Sequence, residues 1–544
     1  MRHNRINSAE PRRQLLACLV MGMGMTVVGA VSGQALAQPA VAITENGPAN
    51  GVVRSNEIAF LGLAYAQPPV GALRWQPPQP IPPGSQTIDA TKFAPHCAQP
   101  ASPFGVASAS EDCLYLNVYT PISPRGVETA GAGYPVMVWF HGGGLLYGES
   151  EDFDPVRLVQ RGVIVVTVNY RLGAFGFLAH PALDGEGHSF ANYGLMDQQA
   201  ALGWVKRNIA GFGANPENIT IFGQSAGGES VTAHLVSPTA SKLFEKAIIQ
   251  SGNYAPNLPT LATAEAQGQS FATSVGCDDQ SAACLRNVPV SAILANQAKI
   301  YTVIHEVRII VPSLDGTVLT SSPDAAFQSG QFNRVPVMAG SNHDEGRLFT
   351  ALLFDLRGGP LTAEQYPQFV ALAYGAAAAP SILAEYPLTN YPSPDLAFAA
   401  LLGDSSLSCT ALFADRQLSR FVPVYGYEFN DPDAPMYFLP PVSFPYLATH
   451  TTELAFLFDL VQAQGKPGPT ADEEALSRWM ARYWTRFAQS GSPQGNWPAF
   501  NATVSNVQEL VPPRPTTTAG FSADHHCDFW EQLANSGQTA ASMQ

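Results

Sequence analysis

Apolar residues along this chain occur in short continuous runs that are separated by turn residues and by longer amphipathic stretches. Runs that are apolar at every position are typical of parallel strands buried on both faces. Stretches long enough for helices, such as 194–209 and 227–235, lie between these runs. The alternation predicts an α/β fold with a mostly parallel central sheet flanked by helices. The expected strands are 135–140, 163–169, 219–223, 246–250, 335–340 and 424–429.

Two Ala-rich segments, 264–298 and 361–418, change to a helical pattern. We expect them to be large helical insertions beside or above the sheet. A stretch rich in Pro and Thr, 511–519, is expected to be a surface loop near the end of the chain. No extended linker divides the sequence, so residues 38–544 are expected to form a single domain.

The N-terminus has the pattern of an export signal. Four arginines precede an apolar run at 15–31, and the small-residue site Ala35-Leu36-Ala37 follows it. We expect residues 1–37 to be a signal peptide cleaved after Ala37, which predicts a secreted or periplasmic protein. The run contains three glycines and is short for a span of roughly 20 residues, so no stable membrane insertion is expected. The Arg12-Arg13 pair leaves both the general and the twin-arginine export routes open.

Charge and composition exclude some classes of partner. The chain has 28 basic and 43 acidic residues, and loss of four Arg and one Glu with the leader makes the formal charge −18. Such a surface repels phosphate backbones, so nucleic acid is not an expected partner. With 46% hydrophobic and 13% charged residues, the chain has enough apolar side chains for a large core. The pattern does not predict an oligomeric state.

Seven cysteines become an even set of six once Cys18 is assigned to the leader. In an oxidising compartment such a set predicts three disulfides, although six cysteines allow fifteen pairings. Local spacing suggests two short loops, and the third pair then follows by elimination. The expected pairs are Cys97 with Cys113, Cys277 with Cys284, and Cys409 with Cys527.

A metal site is not expected from the cysteines. The sequence contains no C-x-x-C pair, and His525-His526-Cys527 alone is a poor set of zinc ligands. No organic cofactor is expected either.

The strongest chemical motif is Gly223-Gln224-Ser225-Ala226-Gly227, in which an expected strand runs into G-x-S-x-G and then into a helix. This is the pattern of the nucleophile elbow of α/β-hydrolases, where a sharp turn exposes the serine above the sheet. The glycines are needed because neighbouring elements approach closely at the turn. Ser225 is therefore the expected nucleophile, and a simple tight turn is the alternative.

A second glycine motif lies upstream, where strand 135–140 leads into His141-Gly142-Gly143-Gly144. Backbone N–H groups in such a loop stabilise the negative charge of an acyl-transfer transition state. We expect Gly143 and Gly144 to form the oxyanion hole, with the N–H of Ala226 completing it. A phosphate-binding loop is the alternative, but this segment lacks the lysine and the spacing of one.

The acid and the base follow the serine along the chain in this fold. Two carboxylates, Asp344 and Glu345, follow the expected strand 335–340; we take Glu345 as the acid and keep Asp344 as the alternative. His450 is the expected base, since it lies downstream of this loop and before the terminal tail. The other histidines are expected to be surface or satisfied core residues, or to follow the last expected strand: His234, His305, His343, His525 and His526.

Together these residues resemble the type B carboxylesterases, a family that includes cholinesterases, carboxylesterases and bacterial nitrobenzyl-esterase-like enzymes. The resemblance covers almost all of the mature chain. Besides the glycine loop, the segments that carry it are Ala66-Gln-Pro-Pro-Val-Gly71, Leu73-Arg74-Trp75, Ser110-Glu-Asp-Cys-Leu-Tyr-Leu-Asn117, Asn169-Tyr-Arg-Leu-Gly173, Phe222-Gly-Gln-Ser-Ala-Gly-Gly228 and Cys527-Asp-Phe-Trp530.

The resemblance implies an α/β-hydrolase fold and hydrolysis of small-molecule carboxylic esters through an acyl-enzyme. It implies the triad Ser225, Glu345 and His450, the same oxyanion hole and the same three disulfides. It also implies structural ion pairs of Arg74 with Glu111 and of Arg171 with Asp197. The same triad could act on thioesters, amides or lactones, and a non-catalytic binding protein on this fold is the remaining alternative.

The chain departs from the family pattern in several places. Gln224 stands where cholinesterases have Glu, and the loop between Cys97 and Cys113 has no tryptophan to stack on a quaternary ammonium, so choline esters are not expected substrates. Ala214 and Thr451 replace glycines, and Glu229 in the elbow helix is unusual. The natural acyl and alcohol groups are not predicted.

Overall fold

The structure is a computed structural model that describes residues 40–122, 133–297 and 311–536. The expected leader, residues 1–37, lies outside the described residues. The described strands are β1 (Ala40–Thr44), β2 (Gly47–Val53), β3 (Glu57–Ala64), β4 (Ile88–Asp89), β5 (Tyr115–Pro121), β6 (Tyr134–Phe140), β7 (Phe153–Asp154), β8 (Ile164–Val168), β9 (Ala214–Gln224), β10 (Lys246–Gln250), β11 (Val337–Asn342), β12 (Val424–Phe429), β13 (Asp459–Leu460), β14 (Val507–Leu510) and β15 (Thr516–Thr518).

Helices fill the segments between these strands. They are α1 (Val156–Val159), α2 (Gly173–Phe177), α3 (Pro181–Asp184), α4 (Tyr193–Asn208), α5 (Ala226–Val236), α6 (Leu261–Ser274), α7 (Ala282–Asn287), α8 (Val290–Gln297), α9 (Pro323–Ser329), α10 (Gly346–Leu353), α11 (Tyr366–Tyr374), α12 (Ala379–Glu385), α13 (Pro394–Gly403), α14 (Cys409–Leu418), α15 (Ala471–Ser490), α16 (Phe521–Asp524) and α17 (Cys527–Asn535).

Thirteen strands form the main sheet, in the order β1-β2-β3-β5-β8-β6-β9-β10-β11-β12-β14-β15, with β4 paired to β2. All neighbours from β8 to β14 are parallel. The central strands β8 and β10 are buried at every residue, as helices on both faces of the sheet require. The predicted α/β class, with a mostly parallel sheet flanked by helices, is confirmed, and each of the six expected strands corresponds to an observed one.

The ends of the sheet differ from the prediction. Strands β1, β2, β3 and β5 pair antiparallel at one edge, and β1 shows the alternating burial of a strand with one solvent face. At the other edge, the prediction that 511–519 is a surface loop is wrong in part, because Thr516–Thr518 forms a strand that pairs antiparallel with β14. Strand β15 consists of three threonines, and β1 is apolar but buries only alternate residues, so neither has the pattern of a strand buried on both faces.

The two expected insertions are helical: the first contains α6 to α8 and the second α11 to α14. Helices α13 and α14 continue through a π-helical turn, Asp404–Ser408, and form a 25-residue helix, Pro394–Leu418. This helix is long and apolar enough to cross a membrane, but 67% of its most apolar window is buried inside the protein. That burial is typical of a core helix.

Three disulfides join the pairs expected from the cysteine spacing: Cys97–Cys113, Cys277–Cys284 and Cys409–Cys527. The two expected ion pairs are also present. The guanidinium of Arg74 binds Glu111 at 2.5 and 2.6 Å, and that of the buried Arg171 binds Asp197 through two bonds of 2.8 Å. Disulfides are typical of proteins outside the reducing cytosol.

Candidate active site

The expected nucleophile lies at a strained turn between the sheet and a helix. Ser225 follows β9 directly, precedes α5 and has φ 54° and ψ −125°, a conformation that non-glycine residues rarely adopt. A Cβ atom on Gly223 would lie 2.4 Å from the carbonyl of Gly227, and one on Gly227 would lie 1.9 Å from the oxygen of Phe140. The turn therefore depends on glycine at both positions.

The glycine loop lies against this turn because its strand neighbours that of the serine. In the parallel pairing of β6 with β9, Phe140 is opposite Gly223, so both strands end at the same edge of the sheet. A Cβ on Gly142 would lie 3.1 Å from Cβ of Ser225. Gly143 has φ +102° and Gly144 has φ +65°, so both adopt backbone conformations that favour glycine.

Three backbone N–H groups around the serine are free to bind an incoming group. Among the described residues, the N–H groups of Gly143, Gly144 and Ala226 find no hydrogen-bond acceptor. Ser225 itself is different, since its N–H donates to the carbonyl of Gln250 at 2.9 Å. Unpaired donors next to a nucleophile can stabilise an oxyanion.

The expected acid and base are in contact. Oε2 of Glu345 lies 2.6 Å from Nδ1 of His450, and both side chains are buried. The other carboxylate oxygen of Glu345 accepts a hydrogen bond of 2.8 Å from the N–H of Asn342. A carboxylate held on both oxygens can fix the orientation and the tautomer of an imidazole.

The alternative acid, Asp344, faces away from His450. Its carboxylate lies 2.8 Å from Nε of Arg347 and 3.4 Å from Nδ1 of His343. Burial would raise the pKa of Asp344, but the hydrogen bond from His343 and the charge of Arg347 outweigh it and lower the pKa. Of the two adjacent carboxylates, Glu345 is the one that contacts the imidazole.

The segment after the histidine explains one departure from the family pattern. Thr451 has φ 81°, in the left-handed region that glycine adopts without strain. Phe349 covers the imidazole of His450, with 4.9 Å between the ring centroids. Thr451 therefore has a backbone conformation that suits the glycine usual at this position in the family better than it suits threonine.

The second nitrogen of His450 faces the elbow. Nε2 lies 3.3 Å from Nε2 of Gln224, the residue before the serine. Within the described part of the chain there is no hydrogen bond between the Ser225 hydroxyl and His450. Catalytic hydrogen bonds are often long in ligand-free proteins and tighten when substrate binds. Gln224 is thus a neighbour of the imidazole, a role that sequence analysis did not assign to it.

A further buried carboxylate lies behind the histidine and was not expected. Glu453 accepts a hydrogen bond of 2.7 Å from Nδ2 of Asn342 and a longer one, 3.4 Å, from Nε2 of Gln250. Burial, together with the charge of Glu345, raises the pKa of Glu453 to about 7. Its position three residues after His450 was the available signal, but spacing alone does not distinguish it from a surface glutamate.

Glu229 lies in the first turn of α5, and its N–H donates to the oxygen of Ser225 at 2.8 Å. The carboxylate of Glu229 is buried, and it accepts a hydrogen bond of 2.7 Å from the hydroxyl of Tyr254.

A strained serine elbow, a loop with free N–H groups and a carboxylate–imidazole pair at one sheet edge define an α/β-hydrolase. The chain belongs to the carboxylesterase family, whose model matches residues 38–530. It is 32% identical to an acetylcholinesterase of Bungarus fasciatus, over 87% of this chain and 82% of that one. It is 34% identical to a fumonisin B1 esterase of Sphingopyxis macrogoltabida, over 84% of each chain.

Among solved structures, a thermophilic PNB esterase superposes with a TM-score of 0.75 at 30% identity, over 88% of this chain and 97% of that chain. The protein is therefore a carboxylic ester hydrolase that acts on small-molecule esters. Its relatives differ in the esters that their names specify, so family membership does not identify the natural substrate.

Proposed function

We propose that the protein hydrolyses carboxylic esters through an acyl-enzyme on Ser225, with His450 as general base and Glu345 as its orienting acid. The contact of 2.6 Å between Glu345 and His450, beside the elbow, is the observation that carries the proposal. His450 removes the proton of the serine hydroxyl, and the oxygen attacks the ester carbonyl. The imidazolium then protonates the leaving alcohol, and water repeats both steps to release the acid.

The oxyanion formed in each step would be bound by the N–H groups of Gly143, Gly144 and Ala226. These groups support the assignment because they have no acceptor among the described residues and lie next to the serine, two in the glycine loop and one at the first residue of α5. Such donors cost no reorganisation when charge develops on the carbonyl oxygen. No step requires a cofactor.

The test is the substitution Ser225→Ala in the mature protein. We expect kcat/KM on a p-nitrophenyl ester to fall by about 10⁵- to 10⁶-fold while the fold is retained, because the nucleophile is lost and its neighbours are not. A fluorophosphonate probe should label the wild type and fail to label the variant. Retained turnover or retained labelling in a folded variant would refute the assignment of Ser225.

Export is a separate proposal, carried by the N-terminal pattern and supported by the three disulfides. Cleavage after Ala37 gives a mature chain that begins at Gln38. N-terminal sequencing of the protein recovered from the periplasm or the medium tests this directly, and a mature protein that still carries residues 1–37 would contradict it.

A further inference from the structure

A cluster of two histidines and a glutamate lies beside the loop of Glu345 and has no part in the proposed ester hydrolysis. His343 follows the last residue of β11, Glu428 is on the parallel neighbour β12, and His525 lies in the turn between α16 and α17. One potential metal-binding atom from each of the three side chains lies within 4.8 Å of the others. Three segments distant in sequence therefore converge on one point.

Both imidazoles are oriented by an aspartate. Nδ1 of His525 lies 2.6 Å from Asp404, and Nδ1 of His343 lies 3.4 Å from Asp344. Nε2 of His525 lies 2.6 Å from Oε1 of Glu428, which is itself a member of the cluster, so an ion would take the place of the proton that this pair shares. Metal-binding histidines are characteristically held by a carboxylate on the opposite ring nitrogen.

The surroundings of the cluster favour a cation. Three carboxylates, those of Asp344, Asp404 and Glu428, contact the two imidazoles, and the guanidinium of Arg347 is paired with Asp344. His525 and Glu428 are buried, whereas the side chain of His343 is 38% exposed. An ion would therefore have to enter past His343, the most exposed member of the cluster.

We propose that His343, Glu428 and His525 bind one Zn²⁺ ion. Two imidazole nitrogens and one carboxylate oxygen form a donor set that zinc prefers, with a fourth position left for water. Calcium and magnesium favour oxygen ligands and fit this set less well. Glu428 and His525 have to separate from 2.6 Å to about 3.3 Å, the edge of a tetrahedron with zinc bonds of 2.0 Å.

The ion would join the acid loop to the rest of the sheet. The N–H of His343 donates to the oxygen of Phe429, and that of Asp344 donates to the oxygen of Ala448, both at 2.9 Å. Zinc would add a link from this loop to β12 and to the C-terminal helices. The expected role is structural, because the cluster contacts the loop that carries Glu345 and not the serine.

The test uses the full mature chain without a polyhistidine tag, stripped by a chelator and titrated at pH 8. We expect one equivalent of Zn²⁺ in calorimetry, visible absorption bands from Co²⁺ that Zn²⁺ removes, and a higher thermal midpoint with Zn²⁺. His343→Gln should abolish all three signals, and Asp344→Asn should weaken zinc binding by about 10- to 100-fold because it only orients a ligand. The side chain of His343 is 38% exposed, so its substitution should leave the core intact, and far-UV circular dichroism of the zinc-free variant checks the fold.

The control is His188→Gln. His188 also pairs with a carboxylate, that of Glu186 at 3.1 Å, so this variant should bind Zn²⁺ as the wild type does. The proposal would be overturned if the wild-type protein gives neither heat with Zn²⁺ nor absorption bands with Co²⁺. His525 would then be linked to Asp404 and Glu428 by protons alone. Zinc binding by His343→Gln with wild-type stoichiometry and affinity would overturn it as well.

Discussion

Oε2 of Glu345 and Nδ1 of His450 lie 2.6 Å apart although 105 residues separate them in the chain. The first residue follows β11 and the second follows a loop beyond β12, and these strands are parallel neighbours in the sheet. The loops that follow these strands therefore leave the same edge of the sheet. Glu345 lies only three residues after β11, close enough to this edge to contact the imidazole.

Glu345→Gln should reduce kcat by about 10³- to 10⁴-fold, because an amide does not stabilise the imidazolium and favours the wrong tautomer. Asp344→Asn is the matched control: its carboxylate pairs with Arg347, so we expect turnover within a few-fold of the wild type. Steady-state kinetics on p-nitrophenyl acetate compares the two. The opposite ranking would assign the acid to Asp344.

Gln224→Glu should shift the acidic limb of the rate profile to higher pH by about one unit. A carboxylate at 3.3 Å from Nε2 favours the protonated imidazole, which cannot act as a base. Gln224→Met introduces no charge, so the acidic limb of its rate profile should stay at the pH of the wild type. An equal shift in both variants would show that the amide acts by packing and not through charge.

Gly143→Ala should lower kcat by about 10²-fold or more, because the new Cβ would lie 2.2 Å from the oxygen of Tyr147 and displace the oxyanion loop. Gly162→Ala is the control: its φ of +81° is also left-handed, but its Cβ would meet nothing within 4 Å. That change should cost ~1–2 kcal/mol of stability and leave turnover unchanged. Equal activity of the two variants would exclude Gly143 from the oxyanion hole.

Glu453 predicts a pH-dependent stability. Because the folded protein raises the pKa of this carboxyl from its usual 4.5 to about 7, its contribution is fully present below pH 4.5 and is lost as the pH rises through 7. Glu453→Gln should remove on the order of 2–3 kcal/mol from the decline of the unfolding free energy between pH 5 and pH 8. The control is Glu217→Gln, because the side chain of Glu217 is 76% exposed; its unfolding free energy should decline with pH as that of the wild type does. Denaturant titrations at pH 5 and pH 8 measure the unfolding free energy of each protein. If that of Glu453→Gln declines as much as that of the wild type, the raised pKa of Glu453 is contradicted.

The three disulfides should differ in their contribution to stability. Replacing both Cys409 and Cys527 by Ser opens a loop of 118 residues and should cost about 5 kcal/mol, whereas the same change at Cys277 and Cys284, 7 residues apart, should cost about 2 kcal/mol. Equilibrium unfolding of the two double variants measures this difference. Equal losses would show that the chain-entropy argument does not hold here.

Most residues of the candidate site could be named from the sequence because they lie in local patterns. Ser225 and the glycines belong to strand–turn–helix motifs that short-range sterics impose, and the chain order of the acid and base follows from the fold. Glu453, Gln224 and the cluster at His525 could not be found in this way. Their partners come from other strands and helices, so only the folded sheet shows which side chains meet.

The fold could be predicted where strands are buried on both faces, as in β8 and β10. The antiparallel edge strands β1 and β15 were missed because β1 buries only alternate residues and β15 contains no apolar residue. Chain order could not decide which of Asp344 and Glu345 is the acid. Adjacent residues occupy nearly the same place in the chain order, and only the structure shows which side chain contacts His450.

The long disulfide has a consequence for the order in which the chain matures. If the chain is exported as proposed, the disulfides of Cys97 and Cys277 can form soon after their segments emerge, because their partners are only 16 and 7 positions away. Under the proposed export, Cys409 has no partner until Cys527, 118 positions later, has also crossed the membrane. A chain truncated before Cys527 would therefore keep an unpaired thiol at Cys409.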